Sequence, residues 1–242
     1  MTCWRAISEP KNDMPDTRSN TRSNTKRWLR HPHETALRMD SRPLFSLDES
    51  MTAPSPKDAD IRPPAQRGAV FLDRDQTLNI DHGYTHLVDD FAWMPGAPDA
   101  LSLFHRHGIA CFIVTNQGGI GREIFTAAQM QAFNDHLVAQ AGLAGGHIQD
   151  IAHCPHHPEA VSPAMRPPCG CRKPEPGLLL GLAAKWNIDL AASVMIGDRD
   201  SDLAAGRAAG CHAYMFDGTD LSGLARQVIN RHFADSPGGD NA

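Results

Sequence analysis

Beyond residue 68, short and almost wholly apolar runs alternate with longer segments in which apolar residues recur every three or four positions. The short runs are 69–72, 109–114, 148–153 and 193–196, and each reads as a strand buried on both faces. Helical spacing is predicted over 97–107, 126–141 and 178–186, with a further helix starting near Asp200. In the second of these, Thr126 offers an N-cap, and Met130, Phe133 and Leu137 share a face that reads as core packing. The helix near Asp200 carries Ala204, Ala205, Ala208 and Ala209, small residues expected to let it lie close to a sheet, with Gly210 ending it. A last strand follows. Strands alternating with helices in this way predict an α/β fold, three layers about a central parallel sheet.

Residues 1–66 do not share the pattern. Arg, Ser, Asn, Thr and Pro dominate there, apolar residues are scattered, and disorder is the expectation. The stretch lacks the apolar core of a secretory signal, and its acidic residues and prolines argue against a transit peptide. Met51, just ahead of a Pro-rich linker, is a candidate translation start. The expected organisation is an extension over 1–66, a folded domain over 67–235 and a flexible tail over 236–242.

Charge narrows the partner classes. Of the 23 Lys/Arg and 28 Asp/Glu, residues 1–67 hold 12 and 9, leaving 11 against 19 in the folded part. An acidic domain lacks the basic stripe that binding to a phosphodiester backbone requires, so nucleic acid is not an expected partner. No apolar run approaches membrane-spanning length. The six cysteines do not fit a paired extracellular framework, which points to a reducing compartment, the cytoplasm. Cys111 reads as a buried core thiol, while Cys3 and Cys211 carry no signal.

The candidate chemistry begins where the first strand ends, at Asp73 and Asp75. In a parallel sheet, ligands bind beyond the carboxyl ends of the strands, so side chains there face substrate. Asp73 can attack phosphorus; Asp75, free of that bond, can protonate the leaving alkoxide and then activate water. Three further stations follow: Thr115-Asn116-Gln117 after the second strand, Arg172-Lys173-Pro174, and Gly197-Asp198-Arg199-Asp200-Ser201-Asp202. This Asp pair, hydroxyl, lysine and terminal acidic cluster resemble the haloacid dehalogenase superfamily of phosphatases. The Thr115 hydroxyl, the backbone amides after it and the Lys173 ammonium would cradle phosphoryl oxygens. A Mg²⁺ held by Asp73, the Asp75 carbonyl and Asp198 would keep the nucleophile ionised, with Asp202 orienting the shell. Asp200 reads as a solvated carboxylate near a helix start.

A second constellation is Cys154-Pro-His156 with Cys169-Gly-Cys171 at the two ends of a Pro-rich loop, 154–171. Four N/S ligands close a tetrahedron without a position for water, so it reads as a structural zinc site. The plain alternative is a set of reduced thiols with surface imidazoles, and His157 could replace His156. Pro155, Pro158, Pro163, Pro167 and Pro168 leave the loop few core-forming residues, so metal binding is expected to supply its ordering free energy.

Several stretches are similar to the D-glycero-D-manno-heptose 1,7-bisphosphate phosphatases. They are DRDxT from Asp73, DHGY from Asp81, VTNQ from Val114, CPHHP from Cys154 and CGCRKPEPG from Cys169. The resemblance implies Asp73 as nucleophile, Asp75 as acid/base, Thr115 and Lys173 as phosphoryl stabilisers and Arg172 as a recognition residue. It implies a sugar site lined by Asp81, His82, Gly83, Tyr84, Thr115, Asn116, Gln117 and Gly118, with Arg172, Lys173 and Arg199 beside them. The implied substrate is a small sugar bisphosphate that loses its 7-phosphate in nucleotide-heptose and lipopolysaccharide precursor synthesis, and the implied enzyme is monomeric. No connection is long enough for a full cap, and the zinc loop is expected to stand in for one. Histidinol-phosphate phosphatases look alike but resemble a version with a shorter loop and no DHGY; a catalytically silent zinc-stabilised binding module is the reading of another class. One departure is Gln76, where the family usually shows Gly. If that turn needs φ > 0, Gln costs about a kcal/mol or more.

Overall fold

A computed structural model describes residues 67–234. The expectations for residues 1–66, Met51 included, and for the tail over 236–242 lie outside the described residues. The elements are β1 (Ala69–Leu72), α1 (Ala97–Arg106), β2 (Ala110–Asn116), α2 (Ala127–Leu143), β3 (Asp150–Cys154), α3 (Gly177–Trp186), β4 (Val194–Gly197), α4 (Asp200–Ala209), β5 (His212–Met215) and α5 (Leu221–His232). The five strands form one parallel sheet in the order β3-β2-β1-β4-β5. Helix α5 is an addition to the expected order. Its signal is local: Leu221, Ala225, Val228 and Ile229 are buried, and Asp220 caps it by accepting from the Gly223 amide at 3.0 Å.

Successive strand residues point to opposite faces, and the two faces make two cores. Val70, Leu72, Cys111, Ile113, Val194 and Ile196 pack with residues of α1, α2 and α5. Ala69, Phe71, Phe112, Val114 and Met195 pack with residues of α3 and α4. Burial pushes the Cys111 thiol above its usual range, in keeping with an inert core residue. Thr126 and Gln129 form a reciprocal capping box at the start of α2, and Met130, Phe133 and Leu137 are buried.

The small-residue face of α4 differs from the expected one. Ala205, Gly206 and Ala209 are buried, whereas Ala204 and Ala208 face solvent, because a 3.6-residue period puts 204 and 208 on the opposite side. Close approach rests on Gly206, where a Cβ would sit 2.6 Å from Met195 Cβ. Gly210, at φ 94°, ends the helix as expected.

β1 lies at the centre, with β2 on one side and β4 on the other, so the chain reverses its direction of winding there. Crevices outside the strand ends form at such switch points. Asp73, Thr115 and Asp198 stand at the carboxyl ends of β1, β2 and β4, and the Asp73 amide donates to Ile196 O at 2.9 Å. No folded cap covers this edge among the described residues. The β1–α1 connection, with a 3₁₀ turn at Val88–Asp90, and the Cys/His loop flank it.

Candidate active site

The floor is built around a buried ammonium. Lys173 Nζ lies 2.6 Å from Asp73 Oδ1, 2.7 Å from Asp202 Oδ1 and 2.8 Å from Val114 O. Burial works against its charge, but the two carboxylates outweigh that and hold Lys173 above the usual lysine range, as a fixed cation. Asn116 clamps the segment in place: its side chain accepts from the Lys173 amide and donates to the Lys173 carbonyl, each at 3.0 Å. Burial raises the Asp73 carboxyl, Lys173 opposes this, and the Asp202 charge adds to it. Asp202 is buried and commits its other oxygen to the Arg199 amide at 3.0 Å.

Asp73, Asp198 and Asp202 each present a carboxylate oxygen within 4.8 Å of the others. Asp198 Oδ1 is buried without a hydrogen-bond partner, an arrangement that is costly unless a cation completes it. An all-oxygen donor set of this kind fits Mg²⁺. The same crowding shows in Asp198, pushed up to about 6 by burial and by the charges of Asp73 and Asp202. Asp200 is exposed.

Asp75 sits in a separate network centred on Arg74, a residue that the sequence reading passed over. Arg74 is 1% exposed, and its guanidinium lies 4.7 Å over the Phe133 ring. It donates to both Asp75 oxygens (2.9 and 3.1 Å), Asn134 Oδ1 (3.0 Å), Gln117 Oε1 (3.1 Å) and Thr85 O (3.2 Å). Gln117 Nε2 is shared between Asp75 Oδ2 and Thr115 Oγ1, both at 2.8 Å. Burial raises the Asp75 carboxyl above its ordinary value, and the Arg74 charge opposes this. The Gln117 amide donates to Cys154 O at 2.8 Å, so this one of the amides after Thr115 is not available to a phosphoryl group.

A cavity of about 290 Å³ opens above both networks. It is lined by Asp73, Asp75, Asp81, Gly83, Tyr84, Thr115, Asn116, Gln117, Gly118, Arg172, Lys173, Arg199 and Asp202 of the expected residues, and by His157 and Ser201 besides. His82 is exposed and outside the lining; its amide is turned to Thr85 Oγ1 at 2.9 Å. Tyr84 is held by Arg122, whose NH1 donates to the phenol oxygen at 2.7 Å. Gly118 must lack a side chain, because a Cβ there would meet His157 Cδ2 at 2.8 Å. Gln76 does adopt φ 61°, so the strain expected of a side chain at this turn is present.

Beside the cavity, Cys154, His156, Cys169 and Cys171 converge. The sulfur separations are 3.2 Å (Cys154–Cys171) and 3.8 Å (Cys154–Cys169), and His156 Nδ1 is 3.4 and 3.5 Å from the Cys154 and Cys171 sulfurs. A tetrahedron with Zn–S near 2.3 Å has edges of roughly 3.8 Å, and S–N edges somewhat shorter, so the four atoms fit a zinc ion. His157 stands outside the cluster, separated from His156 by its place in the cavity lining. The loop has support beyond the four ligands. Pro155 O and the Val161 amide both pair with Gly121, and His157 N donates to Met165 O at 3.0 Å.

A HAD-hydrolase-like family model matches residues 170–218. A relative from Rhodopseudomonas palustris, named D-glycero-beta-D-manno-heptose-1,7-bisphosphate 7-phosphatase, is 36% identical over 179 residues, 74% of this chain and 94% of that protein. One of the same name from Photorhabdus laumondii is 40% identical over 164 residues, 67% of this chain and 87% of that protein. Among solved structures, a putative HAD-like phosphatase from Mesorhizobium loti superposes with a TM-score of 0.64 at 28% identity, covering 69% of this chain and 88% of its own. The D,D-heptose 1,7-bisphosphate phosphatase from B. bronchiseptica, complexed with magnesium and phosphate, gives 0.59 at 28% identity, covering 67% and 98%. With near-complete coverage of a relative more than a third identical, the chain belongs to the D-glycero-D-manno-heptose 1,7-bisphosphate 7-phosphatase family of the haloacid dehalogenase superfamily.

Proposed function

We propose that this chain is a Mg²⁺-dependent phosphoric monoester hydrolase that removes the 7-phosphate of D-glycero-D-manno-heptose 1,7-bisphosphate in the supply of nucleotide-heptose for lipopolysaccharide. The observation that carries the reading is the junction of Asp73, Lys173 and Asp202 at the floor of one cavity, with Asp198, one oxygen of which is buried and unpartnered, presenting a carboxylate oxygen within 4.8 Å of those of Asp73 and Asp202. The substrate follows from the names of the relatives, which specify the β anomer.

In this reading an Asp73 oxygen attacks phosphorus as the bond to the sugar O7 breaks, and Asp75 delivers its proton to that leaving oxygen. Asp75 then takes a proton from water, which attacks the phosphoaspartate and frees Asp73 and inorganic phosphate. The Lys173 ammonium and the Thr115 hydroxyl hold the phosphoryl oxygens, and Gln117 aligns that hydroxyl with Asp75. Mg²⁺ bound by Asp73, Asp198 and the Asp75 carbonyl would supply charge neutralisation. Asp202 orients Lys173. Asp81, Gly83, Tyr84, Asn116, Gly118, Arg172 and Arg199 face the sugar and its distal phosphate, with His157 and Ser201 completing the wall. Zinc on Cys154, His156, Cys169 and Cys171 is structural, holding the loop that ends at Arg172 and Lys173.

The enzyme is further inferred to act as a cytoplasmic monomer on a diffusible substrate, away from nucleic acid and membrane. The acidic folded part supports this, as do the five cysteines among the described residues, none of which forms a disulfide; no helix there is long and apolar enough to cross a membrane. The test is phosphate release from both heptose bisphosphate anomers beside histidinol phosphate and fructose 1,6-bisphosphate. Preference for a heptose bisphosphate, abolished by Asp73→Asn, is the expected result; preference for histidinol phosphate refutes the substrate.

A further inference from the structure

The two residues flanking Asp75 reach for the two ends of one turn later in the chain. Arg74 NH2 donates to Thr85 O at 3.2 Å, and Gln76 Nε2 donates to Asp81 O at 2.8 Å. Between those carbonyls the turn is braced by its own contacts, Asp81 Oδ1 accepting from the Thr85 amide at 2.8 Å and Thr85 Oγ1 from the His82 amide at 2.9 Å, and by Arg122, which donates to the Tyr84 phenol at 2.7 Å. Gly83 and Tyr84, both at positive φ, form its tip, and Asp81, Gly83 and Tyr84 line the cavity.

Gln76 makes its contact at a cost, since φ 61° is a conformation that side chains avoid, and its own amide is tied to Asn79 O at 2.7 Å. A strained residue persists where its surroundings hold it there. Arg74 is equally unusual, a guanidinium 1% exposed whose donors are divided among Asp75, Gln117, Asn134 and this turn.

We infer that Arg74 and Gln76 are positioning residues that latch the 81–85 turn to the acid/base residue between them, so that ordering the sugar-facing turn and placing Asp75 are one event. Gln76 acts through its neighbours, and Arg74 acts through the Asp75 carboxyl that it holds by both oxygens. The inference rests on the proposed sugar phosphatase reading for the meaning of the turn, and on geometry alone for the latch. Its consequence is selectivity: a substrate that presses on the turn aligns the acid, and one too small to reach it does not.

The informative variant is Gln76→Asn. Asn accepts positive φ better than Gln and is one methylene too short to reach Asp81 O, so it removes the latch without adding backbone strain. Gln76→Gly does the same with no side chain. Two quantities are measured in each: amide hydrogen exchange at residues 82 and 85, and the ratio of kcat/KM for heptose bisphosphate to kcat/KM for an aryl phosphate. Exchange at both amides is expected to rise by about fivefold or more, and the ratio to fall by about three- to tenfold, the scale of one hydrogen bond. Arg74→Lys keeps the charge but loses the fork. It is expected to raise exchange at residue 85 and to lower kcat toward both substrates, with folding checked by circular dichroism. In the Gln76 variants, unchanged exchange overturns the latch, and so does an equal loss toward both substrates. If the unaltered enzyme shows no preference for heptose bisphosphate, the substrate reading fails while the exchange result still decides the latch.

Discussion

Replacing Lys173 by Met keeps the volume of the floor and removes the ammonium shared by Asp73 and Asp202, and the structure sets the size of the effect. The ammonium is 2% exposed and contacts two carboxylates, at 2.6 and 2.7 Å. Removing one partner of a buried ion pair costs about 3–5 kcal/mol. An independent limit comes from proton uptake: a carboxyl that would otherwise be stranded as a charge can be neutralised instead. Taking it from an ordinary value of 3.8 to neutral at pH 7 costs about 4 kcal/mol, at about 1.4 kcal/mol per unit. The two figures agree, so metal-free Lys173→Met is expected to lose about 3–4 kcal/mol at pH 7, or about 2–4 °C in Tm for each kcal/mol. The sign with pH follows. The native variant holds a proton that its unfolded chain has released, so the deficit grows with rising pH and shrinks by about 1.4 kcal/mol per unit towards pH 5. Mg²⁺ should narrow it at pH 7 by supplying a replacement cation, and Asp202→Asn in the same chain should recover part of it by removing one carboxylate. Urea unfolding at pH 5 and 7, with and without Mg²⁺, measures all of these. A variant as stable as the parent at pH 7 without metal, or a deficit that ignores pH, refutes the account.

Zinc should be found at one ion per chain by native mass spectrometry, and Cys169→Ser should lose it. Limited proteolysis should then cut first within 155–170, and phosphatase activity should fall because Arg172 and Lys173 directly follow Cys171; a zinc-free protein with full activity and an intact loop argues against a structural metal. For the acidic cluster, Asp198 is pushed up to about 6 by burial and its anionic neighbours. Its ionisation therefore weakens the metal-free fold as pH rises through 6, and Mg²⁺ relieves that cost. The Mg²⁺-induced rise in Tm should accordingly be larger at pH 7.5 than at pH 5, and equal increments at the two would sink the assignment of Asp198 as a metal site.

The legible parts of this protein were local ones. Apolar runs of four to six residues announced buried strands, Thr126 announced the start of α2, and Gly210 the end of α4. The chemical types at the strand ends and the Cys/His spacing were equally visible, because motif residues close in sequence carry their chemistry with them. Missing elements had weaker local marks: α5 is polar on average, and the face of α4 turned on which pair of alanines the period would bury.

By itself, then, the sequence determined the alternation of strand and helix, the identity of the carboxylates, lysine and thiols, and the family they resemble. Tertiary structure alone decided which of them meet. Lys173 reaches Asp73 across 100 positions, and Gln117 reaches Asp75 across 42. It separated adjacent histidines, sending His156 to the sulfur cluster and His157 to the cavity, and it left His82 at the surface. Most unexpectedly for a residue that ordinarily keeps its charge in water, it buried Arg74 among the partners of Asp75. Such choices depend on desolvation and on pairing between segments far apart in the chain, quantities that no local pattern encodes, whereas periodicity and turn chemistry are written in neighbouring residues.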